Sequence, residues 1–312
     1  MKKLFPILVV LVLVSTACQL GGGQAQPTPL AVATAFPTNP PAALNPTAQP
    51  SGNNQAAGSE RTTVDGMTAV FIPAGTFQMG GIDSNAETDE KPVHQVTVRS
   101  FWLDKFEVTN GMYVQCVKAG VCPPPQQLKS ETRDSYFNNP DFNDYPVVYV
   151  TSGDASAYCK WAGRRLPSEA EWERAARGDT INTYPWGDQR PDATLANFNY
   201  MLGDTARVGS YPAGASPFGA LDMAGNVAEW TNDYYDGNYY ANGPATNPTG
   251  PLARSQYFGR VVRGGTYADA ARDIRTSNRA QVVGSNLQAD PGSTAYFGDF
   301  SPRIGFRCAS DN

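Results

Sequence analysis

FGALDMAGNVAEW, residues 218–230, is the stretch from which the fold can be argued. Gly225 and Asn226 tolerate the positive φ of tight turns, so they predict a turn between two apolar segments. Asp222 and Glu229 are acidic residues set among large apolar side chains. A buried carboxylate needs a partner, because an unpaired charge in the interior is costly. The partner is either an arginine or a hard cation with oxygen ligands, such as calcium, and the stretch alone leaves both open.

The N-terminus carries the pattern of an export signal. Lys2 and Lys3 precede an apolar run, residues 4–17, that is shorter than the roughly 20 residues needed to span a bilayer. The run ends in Val-Ser-Thr-Ala before Cys18 and resembles a bacterial lipobox, so residues 1–17 are predicted to be a signal peptide. Cys18 would then carry a lipid that anchors an exported protein to a membrane. The alternative is a plain secretory signal with an incidental cysteine.

The next segment separates this N-terminus from the folded part. Residues 18–61 are rich in Pro, Ala, Gln and Thr, and no charged residue occurs from Gln19 to Ser59. Such a segment cannot bury enough apolar surface to offset its ordering entropy, so it is predicted to be a disordered linker. Residues 62–312 are long enough for one substantial core. The net charge of −5 and the lack of a basic run in the sequence argue against nucleic-acid binding.

Short predicted elements alternate with glycine and proline in the folded part, which indicates an irregular α+β domain. The predicted segments are strand, turn and strand over 70–80, strands over 94–98 and 101–108, and a helix over 154–163. Ser168 and Glu171 form a capping box that opens a second helix, and Gly178 ends it. His94 is the only histidine, so an iron or zinc site with two or three histidines is excluded.

Four cysteines follow Cys18, and an exported chain usually pairs an even number of them. Local pairing of Cys116 with Cys122 would leave Cys159 and Cys308 to join the middle of the domain to its C-terminus. The alternative is a thiol pair that binds a soft metal. The C-x5-C spacing does not distinguish the two.

Seven motifs follow one another along the folded part. They are IPAGTFQMG (72–80), FEVTN (106–110), AYCKWAGRRLPSEAEWERAARG (157–178), YPWG (184–187), FGALDMAGNVAEW (218–230), RVVRGGTY (260–267) and GFRCA (305–309). In sequence and in order they resemble the formylglycine-generating enzyme family, also called the sulfatase-modifying factor domain. The resemblance implies an α+β fold that is a variant of the C-type lectin-like fold and is poor in regular secondary structure.

The resemblance also implies two structural calcium sites and one disulfide. The first site corresponds to Asn197, the carbonyl of Phe198, Asp204 and the carbonyl of Ala206. The second corresponds to side chains and carbonyls of the opening stretch, at Asp222, Gly225, Val227 and Glu229. The family disulfide corresponds to Cys159 and Cys308. Calcium is therefore the expected cofactor.

The oxidase centre of the family has no counterpart in this sequence. The resemblance implies a Cu(I) ion held by two cysteines, five residues apart, just after a G-G-S-[YFW] strand. Here the strand reads GGTY (264–267), and Asp269 and Ile274 stand at the two cysteine positions. A carboxylate and an alkyl group cannot replace the soft dithiolate that Cu(I) prefers. Neither copper nor a catalytic residue is expected.

Two functions remain in competition. The first is a surface-anchored, calcium-stabilised binding or scaffolding module. Its candidate contact surface for a peptide or carbohydrate is the tyrosine-rich segment 234–240, unless that segment is an ordinarily packed loop. The second is a protein-modifying oxidase that acts on C-x-P-x-R sequences of sulfatases through an unrecognised site. The side chains that would line its cleft, unless they are salt-bridged parts of the strand and loop, are Asp269, Arg272, Asp273, Arg275 and Arg279.

Overall fold

The computed structural model describes residues 55–251, 259–283, 296–297 and 300–311, so the predicted signal peptide, Cys18 and most of the predicted linker lie outside it. Its strands are β1 (Glu60–Thr62), β2 (Thr68–Ile72), β3 (Gly75–Met79), β4 (His94–Val98), β5 (Phe101–Asp104), β6 (Ala228–Tyr234), β7 (Arg260–Arg263), β8 (Arg279–Val283), β9 (Tyr296–Phe297), β10 (Ile304–Gly305) and β11 (Ala309–Asp311). Its α-helices are α1 (Asn110–Lys118), α2 (Ser152–Trp161), α3 (Glu169–Arg177) and α4 (Tyr239–Asn242). None of the helices described has the length and apolar character needed to cross a membrane.

The described strands form three sheets. One has the order β1-β2-β5-β11, a second has the order β10-β6-β7-β8-β9, and β3 and β4 form a separate antiparallel pair. Only two of the pairings given for these strands are parallel, β10 with β6 and β8 with β9. Short strands mixed with short helices confirm the predicted α+β class.

The predicted strands are confirmed, with two ends displaced. Strand β2 begins at Thr68, two residues before the predicted segment 70–80, a break separates it from β3, and β4 has the predicted bounds. The strand predicted over 101–108 ends at Asp104 instead. Beyond that residue the chain changes partners, since the Val108 amide donates to the Phe306 carbonyl (2.8 Å). The alternating sequence pattern continues to Val108, but the neighbouring strand β2 begins only at Thr68, whose carbonyl accepts the Lys105 amide (2.8 Å), so it offers no partner beyond that point.

The folded part begins before the predicted boundary at Thr62. Strand β1 pairs with β2, the Gly58 amide donates to the Phe71 carbonyl (3.0 Å), and the Phe71 amide donates to the Ser59 carbonyl (2.8 Å). Residues 55–61, which composition assigned to the linker, therefore belong to the domain. An edge strand of this kind is held by main-chain hydrogen bonds, which amino-acid composition does not reveal.

Side-chain caps set the beginnings of α2 and α3. The Ser168 hydroxyl accepts the Glu171 amide (3.2 Å), and the Glu171 carboxylate accepts the Ser168 amide (2.8 Å), which confirms the predicted capping box. Gly178, with φ of +72°, ends α3 as expected. Helix α2 begins earlier than predicted because Thr151 is its N-cap and Asp154 closes a second capping box.

The domain has two disulfides among its described residues, one local and one long-range. They join Cys116 to Cys122, six residues apart in sequence, and Cys159 to Cys308, 149 residues apart. Both predicted pairings are confirmed, and the alternative of a soft-metal thiol pair is wrong for these four cysteines. All four lie in a buried hydrophobic cluster that also contains Trp230 at the end of the opening stretch.

Candidate functional site

The opening stretch folds as a tight turn that leads into β6. Asp222, Gly225 and Asn226 have φ angles of +55°, +77° and +57°. The positive φ at Gly225 and Asn226 is as predicted, whereas Asp222 adopts the left-handed region although it is not a glycine. A Cβ atom on Gly225 would lie 2.3 Å from the Asn197 carbonyl oxygen. Glycine therefore allows this turn to touch the segment that contains the other predicted calcium site.

Asn226 connects the two predicted calcium sites. Its amide donates to the Asn197 carbonyl (2.8 Å), and its Oδ1 accepts the Ala206 amide (2.8 Å). Its Nδ2 donates to Oε1 of Glu107 (2.9 Å). One buried asparagine thus holds three chain segments at fixed positions around the turn.

Glu229 has protein partners on both carboxylate oxygens. Its Oε2 accepts Nε of Arg307 (2.6 Å) and Nε1 of Trp172 (2.8 Å), and its Oε1 accepts Nη2 of Arg307 (2.6 Å). All three side chains are buried. For Glu229, the sequence alternative of an arginine partner is confirmed.

Glu107 adds a carboxylate that the sequence analysis missed. It is fully buried, its Oε1 is bound by Asn226, and its Oε2 has no partner. Burial and the neighbouring Asp222 raise the pKa of Glu107 well above its usual value, and burial raises the pKa of Asp222 to about 6. Asp222 itself accepts the Gly209 amide (2.6 Å). An acid inside the apolar motif FEVTN was the signal that could have identified it.

The second predicted site fits a cation. Arg307 supplies one positive charge against the carboxylates of Glu107, Asp222 and Glu229, and the unpartnered oxygen of Glu107 is a hard donor of the kind calcium prefers. The carboxylates do not form a complete ligand set, since no group of three His, Cys, Asp or Glu residues suited to a metal occurs in the described part of the chain. Main-chain carbonyls, as predicted at Gly225 and Val227, would have to complete the coordination.

The first predicted site does not fit calcium. Asp204 already accepts four hydrogen bonds and forms an ion pair, with donors from Ser130, Thr132 (amide and hydroxyl), Thr205 and Arg133. A carboxylate offers about four lone-pair sites, so none is left for a metal ion. The Phe198 carbonyl accepts the Met201 amide (3.0 Å), while Oδ1 of Asn197 is buried without a partner. The Asn197 amide oxygen and the Ala206 carbonyl are the remaining predicted ligands, and two neutral oxygens without a free carboxylate do not make a calcium site.

The two expected copper positions are occupied by residues with roles in packing and turn formation. Ile274 is fully buried in a hydrophobic cluster with Tyr184 and Phe198. The Asp269 carboxylate accepts the Thr266 amide (2.8 Å) and so closes the turn at residues 266–269, beyond the end of β7. Each cysteine of the described residues is in a disulfide. The described part of the chain therefore offers no reduced dithiol for Cu(I).

Four of the five charged side chains named as a possible cleft lining form salt bridges, namely Arg272, Asp273, Arg275 and Arg279. Two are buried and ion-paired, Arg275 with Glu90 and Arg279 with Glu169. Arg272 is exposed and faces its neighbour Asp273. The hypothesis that Arg275 and Arg279 line a reactive cleft is wrong, because their guanidinium groups are taken by buried carboxylates.

The tyrosine-rich segment 234–240 packs against the protein interior. Tyr240 is buried, its hydroxyl donates to Glu169 (3.3 Å), and the His94 ring lies 4.8 Å from its ring. The Tyr235 hydroxyl donates to Asp89 (2.6 Å). The prediction of a contact surface is wrong for the buried Tyr240, whereas Tyr234, Tyr235 and Tyr239 are half-buried and the prediction stays open for them. The His94 ring thus packs on a buried tyrosine, and its Nδ1 lies 3.0 Å from the Pro92 carbonyl oxygen.

A cavity of about 170 Å³ lies beside the start of α3. Its lining contains apolar side chains together with amide, hydroxyl, carboxylate and guanidinium groups. The lining residues are Val98, Arg99, Arg165, Leu166, Ser168, Glu171, Asn232, Asn247, Pro248 and Thr249. The cavity is large enough for a small polar group of a ligand.

Residues 54–312 match the family described as "Sulfatase-modifying factor enzyme 1-like domain". The chain belongs to this family. It is similar to the serine/threonine-protein kinase Pkn1 of Chlamydia trachomatis, with 36% identity over 253 residues that cover 78% of this chain and 38% of that protein. It is also similar to the formylglycine-generating enzyme of Mycobacterium tuberculosis, with 31% identity over 304 residues that cover 78% and 97%.

Among solved structures, PvdO from Pseudomonas aeruginosa superposes with a TM-score of 0.65 and 27% identity, over 83% of this chain and 100% of that one. The sulfatase-modifying-factor fold, a C-type lectin-like α+β fold with few regular elements, is thereby confirmed. The chain spans less than two fifths of the length of the kinase relatives it matches. The relatives are named as a protein kinase and as a formylglycine-generating enzyme. Membership of the family therefore identifies the fold, whereas the function has to be argued from the residues of the site.

Proposed function

We propose that this sulfatase-modifying-factor domain is a binding or scaffolding module without the oxidase activity of the family. The observation that carries the proposal is Ile274, an alkyl side chain fully buried at the position of a Cu(I) cysteine. Asp269, at the other position, is a hard oxygen ligand. Cu(I) prefers soft thiolates, so this pair supports a domain that keeps the fold and lacks the metal that activates oxygen.

The proposed module is exported and held on a membrane by a lipid on Cys18, and its ligand is a peptide or a carbohydrate. The two disulfides support an oxidising compartment outside the cytoplasm. The cavity beside α3 supports a ligand with polar groups, because Arg99, Asn232 and Thr249 bring guanidinium, amide and hydroxyl groups to its lining.

Calcium is proposed as a structural cofactor at Glu107 and Asp222, with the main-chain carbonyls of Gly225 and Val227 completing its coordination, because the Glu229 carboxylate is bound by Arg307 and Trp172. Adding calcium to chelator-treated protein is expected to raise the free energy of unfolding, by about 2.7 kcal/mol when the free ion is at 100 times its Kd. Glu107→Gln should remove most of this gain, because it deletes the charge of the oxygen that lacks a partner. Urea unfolding with and without calcium measures both.

The matched control is Glu60→Gln, which changes the same chemical group at an exposed surface pair with Lys105. It should leave the calcium effect intact. Equal unfolding curves of the wild type in chelator and in calcium would contradict the proposed cofactor.

The proposed lack of oxidase activity is tested directly with substrate. Purified protein, supplied with copper, ascorbate and oxygen, is expected to leave a C-x-P-x-R peptide unchanged, because all four cysteines among the described residues are in disulfides and leave no dithiol there to hold Cu(I). Mass spectrometry of the peptide detects the aldehyde, and a family member with both cysteines serves as the positive control. Aldehyde formed in proportion to protein concentration would support the oxidase instead.

A further inference from the structure

We propose that the guanidinium of Arg133 takes the place of the calcium ion that the family resemblance implies beside Asp204. The chain would then carry a built-in cation at the first predicted site and bind calcium only at the second, around Glu107 and Asp222. The inference rests on the geometry around Asp204 and is independent of whether the domain binds a ligand.

Asp204 is saturated by donors of the protein. Its Oδ2 accepts the Ser130 hydroxyl (2.6 Å), the Thr132 amide (2.9 Å) and the Thr132 hydroxyl (2.8 Å). Its Oδ1 accepts the Thr205 amide (2.7 Å) and lies 3.2 Å from Nη1 of Arg133. With its lone pairs occupied, the carboxylate has its negative charge balanced by Arg133 rather than by a metal.

Arg133 is held from several sides. Its Nη1 donates to Oγ1 of Thr205 (3.0 Å), and its Nη2 donates to the Thr205 carbonyl (3.0 Å). Its guanidinium carbon lies 4.9 Å from the ring centroid of Phe142, 5.1 Å from that of Tyr145 and 5.8 Å from that of Tyr136. Three aromatic rings around one cation are an arrangement that stabilises positive charge through the ring quadrupoles.

The three rings also pack on one another. Phe142 and Tyr145 have centroids 5.2 Å apart, and Tyr136 and Phe142 have centroids 5.4 Å apart. Between α1 and α2 the chain has little regular structure, namely the 3₁₀ turn Pro140–Phe142. Arg133 therefore fastens an irregular segment to the Asp204 loop, which is the task a structural calcium ion performs in a loop-rich domain.

Hydrogen exchange of the amides in residues 128–145 tests the proposal on the whole protein. In the variant Glu107→Gln/Asp222→Asn, which removes the second predicted site, protection of this segment is expected to be the same in chelator and in calcium. The variant Arg133→Met keeps the length of the side chain but removes its charge. Its amides in this segment should exchange roughly tenfold to a hundredfold faster, because the charged hydrogen bonds from Arg133 that oppose opening of the segment are lost. Methylguanidinium should restore part of the protection, and calcium should not.

The matched control is Arg207→Met. Nη1 of Arg207 lies 3.1 Å from Oδ2 of Asp144 in the same region, but the Arg207 side chain is largely exposed. It should leave protection of the segment unchanged. If Arg133→Met does not fold, the variant Glu107→Gln/Asp222→Asn supplies the second measurement, and equilibrium dialysis is expected to find no calcium on it. Calcium bound to that variant, or calcium-dependent protection of residues 128–145 in it, would overturn the proposal.

Discussion

Replacing Arg263 by methionine is expected to lower the free energy of unfolding by about 3–5 kcal/mol, the cost of removing one partner from a buried ion pair. Arg263 is fully buried and bridges two buried carboxylates, Glu169 (2.9 Å) and Glu173. It also donates to the Thr276 carbonyl (2.6 Å). Without Arg263, Glu169 still pairs with Arg279 and Glu173 still pairs with Arg177. The guanidinium that bridges the two carboxylates is lost. Urea unfolding at fixed calcium concentration measures the change.

Arg272→Met is the control, since Arg272 pairs with Asp273 at the surface and its side chain is 72% exposed. Exposed pairs contribute at most about 1 kcal/mol, so this variant should unfold almost as the wild type does. A loss for Arg263→Met no larger than that of the control would contradict the view that the buried ion pairs hold α3 to β7.

Removing the Cys159–Cys308 disulfide by a double alanine variant is expected to cost about 5 kcal/mol. The bond closes a loop of 149 residues, and the loss of loop-closure entropy in the unfolded chain grows with the logarithm of loop length. It joins α2 to the C-terminal segment just before β11, so the unfolded chain without it gains freedom over almost half of the sequence. Equilibrium unfolding of the two proteins measures the difference.

The Cys116/Cys122 double alanine variant removes the same number of sulfur atoms from buried positions. The disulfide it removes, however, closes a loop with a sequence separation of only six residues. Its expected cost is about 2 kcal/mol on the same entropy scale. Equal costs for the two variants would contradict the entropic account and assign both effects to lost packing.

Local features of the sequence were sufficient to predict the local structure. The capping box of Ser168 and Glu171 and the helix end at Gly178 appear as expected, because each depends on residues within one turn of helix. The boundary near Thr62 was placed too late for the opposite reason. Strand β1 exists because β2 lies beside it, and a composition rule contains no information on neighbours.

The candidate site was predicted only in part, because its geometry is long-range. Glu229 was expected to need a partner, but the choice of Arg307 depends on contacts 78 residues apart. The role of Glu107 depends on Asn226, which is 119 residues away. Arg133 beside Asp204 could not be identified either, since about four donors compete for that carboxylate and only the folded arrangement shows that all of them reach it.

The most direct test of the central claim is a titration of the purified protein with Cu(I) in ascorbate, which leaves the disulfides intact, against the chromogenic chelator bicinchoninate. At the two positions where the family resemblance implies Cu(I) cysteines, this chain has the buried Ile274, which offers no ligand atom, and Asp269, which offers only a hard carboxylate. The protein is therefore expected to retain no Cu(I), and the chelator is expected to take up all of it. One Cu(I) retained per chain in competition with the chelator would contradict the assignment of this domain as a module without an oxidase centre.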